Sequence, residues 1–133
     1  MKFIAAALSL VALAFAAPAA ADPPAADTFE ETFPDVNPCT GNAMNVTIVV
    51  NLSVHDHGDR VVSRGERTIT TSDGFAGRGT ETLLNNGQNF IFRQTDIMTN
   101  DAGDRFRAHT VVVVDLATDT ARVETFELTC LKG

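Results

Sequence analysis

Met44 to Val54 reads "MNVTIVVNLSV", and its alternation decides the fold class. Apolar side chains stand at Met44, Val46, Ile48, Val50, Leu52 and Val54, with Asn45, Thr47, Val49, Asn51 and Ser53 between them. Successive side chains of a strand point to opposite faces, so this period of two describes a long strand with one buried face. Downstream, "HDHGD" (55–59) supplies turn residues and "RVVSRGERTITT" (60–71) resumes with Val, Ile and Thr. "SDG" (72–74) and "NNG" (85–87) mark hairpin turns on either side of "FAGRGTETLL" (75–84). "QNFIFRQTDIMT" (88–99), "RFRAHTVVVVDL" (105–116) and "ARVETFELTCL" (121–131) follow, separated by the polar "NDAGD" and "ATDT". Upstream, "TFEETF" (28–33) adds an edge strand ahead of Pro34 and Pro38. No segment after the first twenty-odd residues has helical periodicity. The pattern predicts an all-β domain, an antiparallel meander.

The N-terminus reads as a secretory signal peptide: Lys2, then the apolar stretch Phe3 to Ala17, then small residues at Ala19 and Ala21 in an A-x-A arrangement. Cleavage is expected after Ala21. Residues 22–28, "DPPAADT", read as a flexible tail, and residues 29–133 as one domain. The apolar stretch is short for a membrane span, and no cysteine stands at the cleavage point for acylation. The expected product is therefore secreted and free of the membrane. Loss of Lys2 makes its formal charge one unit more negative than the −7 of the whole chain. That field disfavours nucleic acid as a partner, and the arginines form no run along the sequence that would suit an anionic membrane.

Cys39 and Cys130 are the two cysteines, near opposite ends of the expected mature chain. In an oxidising compartment the pair reads as a disulfide. A bridge needs Cα atoms about 4.4–6.8 Å apart, so the first long strand must begin near the end of the last one. This favours a small closed or nearly closed barrel, with a two-sheet sandwich as the runner-up.

"FEETFPDVNPCTG" (29–41), an alternating strand ending in a histidine, "GDRFRAHTVVVV" (103–114) and the terminal "ELTCLKG" (127–133) together resemble a group of small exported actinobacterial proteins of unknown function. The resemblance covers most of the mature chain. It implies an exported β domain with a Cys39–Cys130 bridge, and histidines recur in the group at positions matching His55 and His109. The group commonly carries scattered Tyr and Trp, which this chain lacks. Aromatic packing here falls to phenylalanine.

Function is read mainly from what the histidines can do. His55 and His57 lie two apart, so on a continuing strand both would project to one face, with His109 as the remaining histidine for a metal site. The competing reading of "HDHGD" is a solvated hairpin turn. A third reading makes His55, His109 and Arg107 polar groups of a ligand pocket, with Arg93 and Glu66 as companions. No G-x-S-x-G, H-E-x-x-H or P-loop pattern occurs. "GFAGRG" (74–79) reads as a strand that permits a bend or bulge rather than as a phosphate cradle. The expectation is an exported, non-enzymatic binding or interaction domain for a small molecule or protein, without a cofactor. The alternatives are a barrel enzyme of isomerase or cyclase type and a metal-binding protein using His55 and His109.

Overall fold

A computed structural model describes residues 25–131; the expected signal peptide lies outside the described residues. Seven strands follow in order: β1 (Ala25–Val36), β2 (Ala43–Asp56), β3 (Val61–Thr71), β4 (Ala76–Asn85), β5 (Asn89–Thr99), β6 (Arg105–Asp115) and β7 (Thr120–Leu131). Each pairs antiparallel with the next in a single sheet of order β1-β2-β3-β4-β5-β6-β7. The expected meander is present. Of residues 22–28, read as a flexible tail, Ala25 to Thr28 instead pair with β2, and residues 22–24 lie outside the described residues. β1 also runs through Pro34, which an edge strand tolerates because a missing N–H on the open side costs no ladder bond.

The sheet is not closed. Its hydrogen-bonded order ends at β1 on one side and β7 on the other, so the expected closed or nearly closed barrel is not supported, and a single sheet takes the place of the two-sheet sandwich. The disulfide expectation holds: Cys39 and Cys130 are bonded, with Cα atoms 4.9 Å apart. The bridge joins the turn after β1 to the end of β7, and no β1–β7 ladder forms among the described residues. Both edges are poor partners. β1 carries Asp27, Glu30, Glu31, Asp35 and Pro34, and the β6–β7 pairing has a bulge at Val113/Val114.

Curling of the sheet brings β1 and β2 against β5 and β6. Phe33, Val46 and Ile48 share one buried cluster with Met98, Phe106 and Ala108, and the Phe75 and Phe106 rings lie 5.0 Å apart. A second, smaller cluster of Leu83, Phe92 and Val112 fills the other end. Burying each such side chain stabilises the fold by roughly 1.5–3 kcal/mol. Between the clusters the inner face turns polar. The strand registers place Phe29, Val50, Arg67, Gly79, Asp96, Ala108 and Leu128 in one inward row, and Leu52, Gly65, Glu81, Gln94, Thr110 and Phe126 in the next.

Candidate functional site

Two polar assemblies stand back to back on the central strands. The inner one is centred on Arg67, whose side chain has no solvent exposure. Its Nε donates to Asp96 Oδ1 at 2.9 Å and Oδ2 at 3.1 Å, and its Nη1 donates to Glu81 Oε1 at 2.9 Å. The Gln94 amide nitrogen donates to Asp96 Oδ2. Arg67 Nη2, Gln94 Oε1 and Ser63 Oγ are buried with no protein partner. One guanidinium faces two carboxylates, so full ionisation leaves one surplus negative charge. Burial pushes the Asp96 carboxyl above its ordinary value, against the opposing pull of Arg67 and Gln94. Burial likewise raises Glu81, with Arg67 again opposing. These are conditions in which a carboxyl holds a proton more readily than in water.

This assembly was missed by sequence reasoning because β3 has no apolar face to set its phase. Ser63, Gly65, Arg67 and Ile69 point inward while Val62, Arg64, Glu66, Thr68 and Thr70 point outward. The available signal was the β2–β3 hairpin. Its pairing of Val54 with Ser63 carries the inward phase of β2 directly onto Arg67.

The outer assembly is an open groove of about 610 Å³ lined by Asn51, Glu66, Thr68, Arg78, Thr80 and Thr95. An adjoining groove of about 580 Å³ shares Asn51, Glu66 and Thr80 and continues over Ser53, Arg64 and Thr82. Asn51, Glu66, Thr80, Thr95, His109 and Glu127 form one outward row from β2 to β7. Within it, His109 Nδ1 and Thr95 Oγ1 lie 2.8 Å apart. The groove offers hydroxyls, an amide and charges of both signs to a polar ligand. All the outward positions come from alternation in strands whose inner neighbours are buried.

Of the residues singled out from sequence, Arg107, Arg93, Glu66 and His109 share this outer face of adjoining strands. Arg107 Nη2 lies 3.6 Å from Glu127 Oε2. His55 is at the far end of β2 and His57 is in the following turn, both exposed, with rings stacked at 6.3 Å. That turn is closed by the His57 N–H donating to the Arg60 carbonyl and the Gly58 N–H donating to Asp56 Oδ1. Three strands separate β2 from β6, so His109 is not gathered with the other two. Among the described residues no three His, Cys, Asp or Glu side chains are grouped to hold a metal ion.

Comparison with protein-family models, curated proteins and solved structures finds no match for this chain.

Proposed function

We propose that the protein is an exported, disulfide-stapled β domain that acts by binding, and that its ligand lies in the groove over the outer face of β2–β5. The observation that carries this reading is that the two grooves adjoin and share the polar residues Asn51, Glu66 and Thr80. Its hydroxyl and amide groups stand on paired strands, so they are held in place before a ligand arrives, which lowers the ordering cost of binding. Export is supported by the N-terminal pattern and by the bridged cysteines, which suit an oxidising compartment. No helix among the described residues is long and apolar enough to cross a membrane.

The reading is tested by NMR on the secreted protein, titrated with neutral and acidic oligosaccharides, amino acids and nucleotides. Amide shifts confined to Thr68, Arg78, Thr80, Thr95 and their neighbours are the expected result. Shifts clustered elsewhere, or none with any of these probes, would overturn it. A second reading, turnover of isomerase or cyclase type, draws on the His109–Thr95 hydrogen bond beside the groove, where an imidazole could move a proton. Product formation abolished by His109→Ala would favour it over binding alone.

A further inference from the structure

We infer that the ligand of the outer face is an acidic polysaccharide, held at its carboxylate or sulfate groups by arginine and along its hydroxyls by threonine and asparagine. This rests on the binding reading above and adds the ligand's chemical class. It comes from how the folded sheet sorts charge. The chain is acidic overall, yet the outward positions of β3–β6 carry Arg64, Arg78, Arg93, Arg105 and Arg107 against two acids, Glu66 and, at the far end of β6, Asp115. Most other acids lie elsewhere: Glu81 and Asp96 point inward, Asp56, Asp59, Asp73, Asp101 and Asp104 sit in or beside turns, and Glu30 and Glu127 are on the edge strands, Glu127 at the β7 end of the outward row. Glu127 lies 3.6 Å from Arg107 and offsets that one arginine, while acids farther away than a Debye length of about 8 Å at physiological salt are screened from the face. Locally the face is basic.

Four arginines surround the hydroxyl row. Arg64, Thr82 and Arg93 form one outward row, and Thr68, Arg78, Ile97 and Arg107 form another, with Glu66, Thr80 and Thr95 between them. Arginines within a row are two strands apart, roughly 10 Å, and the two rows are four residues apart along the strand, roughly 13 Å. Arg64, Arg78 and Arg93 make no salt bridge among the described residues, so their guanidinium forks remain available to an anion. A polymer with regularly spaced acidic groups and hydroxyls between them matches this arrangement. A nucleic acid matches it less well, because the phenylalanines of β5 and β6 point inward and leave no outer platform for stacked bases.

The test measures binding of the secreted protein to heparin, polygalacturonate, dextran and oligothymidylate at physiological salt. Double variants Arg64→Gln/Arg93→Gln and Arg78→Gln/Arg107→Gln are compared with the exposed hairpin control Arg60→Gln, and circular dichroism confirms folding. Heparin or polygalacturonate should bind with affinity lowered about tenfold or more by each double variant, while the control is unchanged. Dextran should not bind, and oligothymidylate should bind more weakly than the preferred glycan. Failure of both acidic glycans to bind, equal binding of oligothymidylate, or affinities indifferent to the double variants would overturn the acidic-glycan assignment. If a neutral sugar or another probe still shifts the groove amides, the binding reading survives that failure.

Discussion

Arg67 and Asp96 meet over a glycine. They stand on β3 and β5, two strands apart, and the residue between them in the inward row is Gly79 of β4. A Cβ at Gly79 would lie 1.8 Å from Asp96 Oδ1 and 2.3 Å from the Thr95 carbonyl oxygen. The glycine-rich strand therefore creates the space in which the buried ion pair forms. At Gly77 the limiting neighbour is backbone, with the Ile97 carbonyl oxygen 1.8 Å from a Cβ built there. The pairing of β4 with β5 is regular throughout, so these glycines serve close approach and not a bulge.

Gly79→Ala is expected to destabilise the protein by at least about 2 kcal/mol, since both the ion pair and a strand carbonyl must shift. Chemical denaturation checks this. An unchanged midpoint would mean the inner face has room that the Asp96 position denies.

Arg67→Met and Glu81→Gln should behave very differently. The first leaves two buried carboxyls without their cation and is expected to cost roughly 3–5 kcal/mol at neutral pH. The second removes the surplus negative charge while retaining an oxygen that can accept from Arg67 Nη1, so a change of less than about 1 kcal/mol is expected. Urea unfolding of both variants beside the parent separates these outcomes. Equal losses would mean that the charge balance of the cluster is unimportant.

The long strands and their turns were legible in the sequence because alternation and turn residues report on local geometry. β2 carries its buried face openly, and the Cys39–Cys130 pairing followed from compartment and number. The closure of the sheet was not legible. Whether β1 meets β7 depends on curvature summed over seven strands, and the bridge constrains only the turn after β1 and the end of β7. The inner polar cluster was hidden for another reason: on β3 and β4 arginine, glutamate and glycine occupy positions where a core normally places aliphatics. Arg107 and Glu66 were singled out without the sheet order that sets them on one face, and the eight arginines look scattered until that order gathers five of them.

Stability should fall as pH rises from the ordinary carboxylate range toward neutrality. Asp96 and Glu81 have folded-state pKa values raised above their unfolded values of 3.8 and 4.5, chiefly by burial. In that window the folded state binds more protons than the unfolded one. The contribution is therefore complete below the unfolded values and is lost as pH passes through the raised ones. Urea midpoints measured from about pH 4.5 to about pH 8 should decline, and Glu81→Gln/Asp96→Asn should flatten the decline. A parent profile that rises over this range, or a double variant with the same slope, would contradict the assignment.

The bridge has a larger task here than in a closed barrel. With no β1–β7 ladder, Cys39–Cys130 is the covalent tie across the opening of the sheet among the described residues. Its sequence separation of 91 makes the restricted loop long. The chain-entropy model gives a loss of roughly 4–5 kcal/mol on its removal. Cys39→Ser/Cys130→Ser should therefore lower the denaturation midpoint strongly. It should also raise amide exchange first along β7, whose outer edge has no neighbouring strand among the described residues and whose own residues are mostly exposed or half-buried. Exchange that rises evenly over all seven strands would instead mean that the bridge acts through the unfolded chain alone and does not hold β7 in place.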